Sequence, residues 1–205
     1  MTRAAGWPRS LALTLTLACL TLLPSEAAAG KRKPTRASTP VHYRLSAPHP
    51  TRQYVHVAVE LRDAPSTTTR LAMPAWTPGS YLIREFGKHV YEVEARELGE
   101  AGKPLAVERL DKQTWQVANR GRPFVLEYDV FADDLSVRTS YLDDRFALLN
   151  GTSVFMYVVG ETSRPATLAV APPPGWTVHT GLDADPAAPA GAAAFTAMSY
   201  DELAD

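Results

Sequence analysis

The residues able to carry chemistry in this sequence are few and scattered. Its five histidines, His42, His49, His56, His89 and His179, fall at no spacing that pairs two imidazoles on a metal, and H-E-x-x-H is absent. Asp133-Asp134 and Asp143-Asp144 are adjacent pairs. Neighbours on a strand point to opposite faces, so neither pair makes an acid/base couple, and both read as solvated turn residues. Calcium would need a D-x-D-x-D-G pattern that neither pair supplies. No G-x-S-x-G elbow surrounds Ser80 or Ser153, and there is no Walker loop and no G-x-G-x-x-G. Self-contained nucleophilic or nucleotide chemistry is not expected.

Two segments are richer in recognition chemistry. In "MPAWTPGSYLIREF", Met73 to Phe86, Pro78 fixes φ at the second position of a turn and Gly79 supplies the positive φ that a type II turn needs next. Trp76 and Tyr81 then flank the turn. They could plug the end of a sheet, or form an interface or cleft wall, where rigid aromatics give contact area at low entropic cost. Arg84 and Glu85 follow, and Arg84 could pair with a carboxylate of the fold or of a peptide terminus. In "LLNGTSVF", Asn150-Gly151 is a strong hairpin signal, and Asn150-Gly151-Thr152 is a glycosylation sequon that matters only in a eukaryotic secretory host. Trp76, Tyr81, Arg84 and Glu85, with Asn150, Gly151, Thr152 and Ser153, are the candidate substrate-binding or domain-interface residues.

The elements that must position them have a period of two. "YVHVAVEL" alternates Val55, Val57, Val59 and Leu61 with Tyr54, His56, Ala58 and Glu60, the pattern of a half-buried strand. Similar runs recur at "HVYEVEARE", "LAVERL", "TWQVAN", "FVLEYDVFA", "VFMYVVG", "TLAVAPP" and "WTVHT", separated by Pro, Gly, Asp and Asn. No long helical period competes. The expected class is all-β, an antiparallel two-sheet β-sandwich over residues 41–198. "DADPAAPAGAAA" reads as a low-complexity surface loop. In "SYDELAD", Ser199 and Glu202 form a capping box, so residues 199–205 open a helix.

A chain of 205 residues suits one domain of this kind with appendages. Arg3 and Arg9, the apolar run "LALTLTLACLTLL" and "AAA" at 27–29 read as a secretory signal peptide over residues 1–29. The alternatives are an uncleaved anchor or lipidation at Cys19. Cleavage would remove the only cysteine, so no disulfide or thiolate zinc site would remain. It would also remove Arg3, Arg9 and Glu26 from 21 basic and 22 acidic residues, leaving a net charge of about −2. That balance suggests no nucleic-acid partner, although a flexible basic linker containing "KRKPTR" spans residues 30–40. No membrane association is expected after cleavage, and the site of action would be the periplasm or the exterior.

"MPAWTPGSYLIREF", "DDLSVRTSYLDDRFALLNGTSVFMYVVG", "PPPGWTVHTGL" and "YDELAD", in this order and spacing, resemble the N-terminal domain of the glycyl-aminopeptidase family of zinc metallopeptidases, over Val41 to Asp205. The resemblance implies a β-rich domain that precedes a thermolysin-like catalytic domain, with a PDZ domain commonly following. It implies zinc only on that catalytic domain, held by H-E-x-x-H and a downstream Glu that this sequence lacks. "YDELAD" would then begin the junction to the catalytic domain. The expectation is a non-catalytic domain, inactive alone, whose partner is a peptidase domain in cis or in trans, with peptides as further ligands. The other reading is a free-standing module that binds peptides or an envelope ligand.

Overall fold

Alternating apolar residues favour strands that bury one face and pair side by side. The computed structural model describes residues 39–80, 82–99 and 102–205. The expected signal peptide, Cys19, most of the basic linker and Tyr81 lie outside the described residues. In chain order the strands are β1 (Val41–Ser46), β2 (Tyr54–Leu61), β3 (Thr69–Ala72), β4 (Val90–Glu97), β5 (Pro104–Leu105), β6 (Val107–Arg109), β7 (Thr114–Val117), β8 (Phe124–Phe131), β9 (Tyr141–Leu142) and β10 (Ala147–Leu148). A one-turn helix α1 (Gly151–Val154) leads to β11 (Tyr157–Val158), followed by β12 (Ala166–Ala171), β13 (Asp183–Ala184), β14 (Ala194–Ala197) and helix α2 (Tyr200–Ala204).

Eight strands form one sheet in the order β13-β14-β12-β1-β2-β8-β4-β5, and four form a second in the order β11-β3-β7-β6. β9 and β10 make a separate hairpin. The sheets are antiparallel except at one pairing, where β1 runs parallel to β12 with Val41 opposite Ala166. The fold is the expected all-β, sandwich-like one, with that single parallel pairing as its exception. One core takes Tyr43, Val57, Val59, Leu126 and Tyr128 from the large sheet and Leu71, Trp115 and Val117 from the small one.

Three expectations are corrected. β2 is not half-buried: Ala58 and Glu60 are buried beside the four apolar residues. β2 sits in the middle of the sheet with a strand on each side, and Arg62, just past its end, folds back to donate to Glu60 at 2.6 Å. "WTVHT" is not a strand, because β12 already has a partner on each side. The chain also turns away at Gly175, whose φ is +84°, with Trp176 N donating to Pro173 O at 3.1 Å. "DADPAAPAGAAA" is not only loop, for β13 forms inside it and β14 begins at its end. Alanine-rich composition hid both pairings, since β-propensity is low there and backbone hydrogen bonding alone makes them.

Candidate functional site

The first candidate segment leaves β3 as a tight turn. Ser80 N donates to Thr77 O at 3.2 Å, and Gly79 lies at φ +73°, as the Pro78-Gly79 turn requires. Thr77 and Ser80 face inward, whereas Trp76 is 49% exposed, Leu82 61% and Ile83 69%. Trp76 therefore does not plug the core. Arg84 N donates to Ala75 O at 2.7 Å and closes the loop. Gln113, next to β7, holds the loop from behind: its Nε2 donates to Arg84 O at 2.8 Å, and its Oε1 accepts from Gly87 N at 2.7 Å. A Cβ on Gly87 would lie 2.2 Å from Lys112 O, so only glycine fits there. Arg84 and Glu85 do not pair with each other. Glu85 takes Lys112 at 2.5 Å, whose hydrogen bond and charge hold the carboxyl below its usual range. Arg84 Nε is buried and has no partner among the described residues.

The second segment corrects the hairpin reading. Asn150 has φ −92° and ψ 120° instead of a left-handed conformation, and its side-chain Oδ1 accepts from Thr152 N at 3.1 Å. It is a helix N-cap, so Asn150-Gly151-Thr152-Ser153 opens α1. Thr152 and Ser153 are buried, and the Ser153 hydroxyl is used within the domain, bonding Ser140 Oγ at 2.7 Å and Asn150 O at 2.9 Å. Gly151 is required by packing. A Cβ there would stand 2.6 Å from Ala204 Cα, on α2.

α2 is capped as expected, Ser199 Oγ accepting from Glu202 N at 3.2 Å, while Glu202 reaches back to Met198 N at 2.6 Å. Its Tyr200, Leu203 and Ala204 are buried. Between α1 and β11 the backbone is irregular and enclosed, and three tyrosine hydroxyls satisfy it. Tyr128 donates to Val154 O at 2.9 Å, Tyr200 to Phe155 O at 2.7 Å and Tyr43 to Met156 O at 2.9 Å. The Tyr128 oxygen also accepts from Met156 N at 2.9 Å. Burial pushes all three phenols above their usual range. This is why "VFMYVVG" gives only the two-residue β11.

Antiparallel register sets Tyr157 opposite Ala72 and Val158 opposite Leu71. The chain leaving β3 towards Trp76 and the chain entering β11 from α1 therefore run off the same end of the small sheet. A cavity of about 560 Å³ opens beside α1 and α2, walled by Leu45, Leu148, Leu168, Trp176 and Leu203. Sequence reasoning missed this cavity, the tyrosine cluster and Gln113. The parity of Tyr43 and Tyr128 on apolar strand faces was a usable signal, since a phenol facing a core needs a buried partner.

The histidines do not converge on a metal. His42 Nδ1 lies 2.8 Å from Thr167 Oγ1, His56 Nδ1 2.8 Å from Asp129 Oδ1, and His179 Nε2 3.3 Å from Thr177 Oγ1. Among the described residues no three His, Cys, Asp or Glu side chains could hold an ion together, so they do not fit the zinc that the resemblance implies for the family.

A sandwich-like β domain closed by a short C-terminal helix defines the fold class. The chain belongs to the peptidase M61 N-terminal domain family, whose model matches residues 42–205. It is similar to the crystal structure of an aminopeptidase N family protein from Idiomarina loihiensis, at 33% identity and a TM-score of 0.73, over 80% of this chain and 28% of that one. An M1 zinc metallopeptidase from Deinococcus radiodurans matches at 16% identity and a TM-score of 0.36, over 78% of this chain and 38% of that one. The chain thus spans well under half the length of either structure. No curated protein matches it.

Proposed function

We propose that this domain supports the zinc-bearing catalytic domain of an exported aminopeptidase and helps wall its peptide cleft, and that it is inactive on peptides alone. The observation that carries the reading is the seat of α2. Tyr200, Leu203 and Ala204 fix this helix against α1 at the wall of a large apolar cavity, so a domain joined there would be held at a defined position. The exposed Trp76, Leu82 and Ile83 offer a second apolar contact. In this reading zinc belongs to the catalytic domain, and the guanidinium of Arg84, whose buried Nε has no partner among the described residues, is a candidate to pair with the partner's carboxylates or a peptide terminus through its outer nitrogens. Export rests on the leader-like residues 1–29, and N-terminal sequencing of periplasmic protein should find a start near Gly30.

The test is association with a separately supplied catalytic domain of the family, measured by calorimetry. Trp76→Ala should weaken binding at least about tenfold, the scale of an aromatic interface anchor, and leave the melting of the isolated domain within about 2 °C, as for a surface substitution. Undiminished binding would refute the reading.

A further inference from the structure

The outer face of the large sheet carries a constellation that linear motifs could not reveal, because its members come from three strands. In the register, Ser46 on β1 lies opposite His56 on β2, and His56 lies opposite Asp129 on β8. Directly opposed residues share a face, with Cβ atoms about 4.5–5.5 Å apart. His56 Nδ1 is 2.8 Å from Asp129 Oδ1, and no described residue, Ser46 included, hydrogen-bonds its Nε2 in the structure. We propose that Ser46, His56 and Asp129 form a serine-hydrolase triad acting on small esters, a reading that does not rest on the proposed domain role.

The surroundings supply the other parts such a site needs. A depression of about 290 Å³ is lined by Arg44, Ser46, His56, Ala58 and Ala169, its floor opened by the two alanines. Arg44 stands two residues before Ser46 on the same face, about 7 Å along the strand. Its guanidinium is only loosely tied to Glu127, at 3.9 Å, because Arg96 makes the closer bonds to that carboxylate at 3.2 and 3.0 Å. Next to the row lies an aromatic platform. Tyr54 packs on Phe131 and Tyr91 with ring centroids 5.1 and 5.7 Å apart, and Tyr91 is opposite Asp129. A bulge in β4 between Tyr91 and Glu94, with Glu92 at φ +50°, keeps Tyr91 and Arg96 on this one face.

The chemistry balances without a cofactor. His56 Nε2 takes the Ser46 hydroxyl proton as Oγ bonds to the ester carbonyl carbon, and the carbonyl π pair moves onto oxygen beside Arg44. The tetrahedral species re-forms the carbonyl and expels the alkoxide, which takes the proton from His56, giving an alcohol and acyl-Ser46. Water then repeats the sequence against the acyl group: its proton goes to His56, Oγ leaves and regains that proton, and a carboxylic acid departs. Asp129 is a positioning residue that fixes the ring through Nδ1. The aromatic platform selects acyl or aryl groups, and the small depression excludes long ones.

The purified protein is treated with a fluorophosphonate probe and, separately, with p-nitrophenyl butyrate in the presence of chelator. The expected result is probe on Ser46, located by peptide mass spectrometry and competed away by the ester, with turnover that chelator does not reduce. Ser46→Ala should abolish labelling, and Ser46→Ala and His56→Gln should each lower kcat about 10²–10⁴-fold, as loss of nucleophile or base does. Asp129→Asn should lower kcat with KM little changed. Wild-type protein left unlabelled at Ser46, which needs no variant, would overturn the proposal. So would hydrolysis that survives Ser46→Ala, the mark of a surface imidazole acting alone.

Discussion

Tyr128→Phe removes one oxygen and leaves the ring volume of the core unchanged, so its effect isolates hydrogen bonding. That oxygen donates to Val154 O and accepts from Met156 N, both at 2.9 Å, in a fully enclosed segment. Each buried group left without a partner costs about 1–3 kcal/mol, and two are orphaned together. The expected loss is about 2–5 kcal/mol, with the lower end applying if Val154 O finds its second lone pair a new donor. For a domain of this size, 1 kcal/mol corresponds to roughly 2–4 °C in Tm, so melting should fall by about 4–20 °C. Tyr43→Phe orphans only Met156 O and should cost about 1–3 kcal/mol. Urea unfolding followed by circular dichroism gives both values. A Tyr128→Phe loss under about 0.5 kcal/mol, the size of an ordinary surface change, or one smaller than that of Tyr43→Phe, would refute the claim that these hydroxyls hold the α1–β11 connection.

Gly151→Ala should unseat α2 because its Cβ meets Ala204 Cα at 2.6 Å. Overpacking of this kind costs about 1–3 kcal/mol, and hydrogen exchange should show protection lost first at Tyr200–Ala204. The buried Tyr43, Tyr128 and Tyr200 have pKa values above the ordinary 10 because burial disfavours the phenolate. Their contribution is therefore intact below pH 10 and is lost as pH rises above it, when the unfolded chain ionises first; melts at pH 9 and pH 11 should separate accordingly. Asp143 titrates at about 2, chiefly because Arg145 hydrogen-bonds it. Its carboxylate supports the β9–β10 turn above pH 4 and is lost as pH falls towards 2, which a carbon-detected NMR titration of that carboxyl would follow.

β2 and β8, which pair on both sides, were legible from alternation alone, since each repeats apolar residues every second position. β13 and β14 were not, because two to four alanine-rich residues carry too little side-chain pattern to outweigh their loops, and within "VFMYVVG" only the two residues of β11 pair as a strand. Asn150-Gly151 misled for a physical reason. The pair serves a hairpin when both residues can adopt positive φ, but here the asparagine oxygen is used as a cap and the glycine is needed for contact with α2, 53 residues downstream in the chain. The Pro78-Gly79 turn was readable because its constraint is local. Whether Trp76 faced the core depended on contacts no short window contains, and the row Ser46, His56, Asp129 depended on register between strands.

Among the described residues the large sheet ends on one side in β13 and on the other in β5, each two residues long, and β5 begins with Pro104. A strand needs a run of free N–H and C=O groups to recruit another chain, and proline supplies no N–H. The small sheet closes in the same way, with β11 of two residues and β6 of three. β5 covers only Ala95 and Arg96 of β4, and the bulge between Tyr91 and Glu94 interrupts the rest of that edge, so chains of this kind crowded together should resist joining edge to edge into fibrils. Self-association, where it occurs, should instead run through the apolar surface around Trp76 or the cavity beside α2, and should be suppressed by detergent rather than by salt.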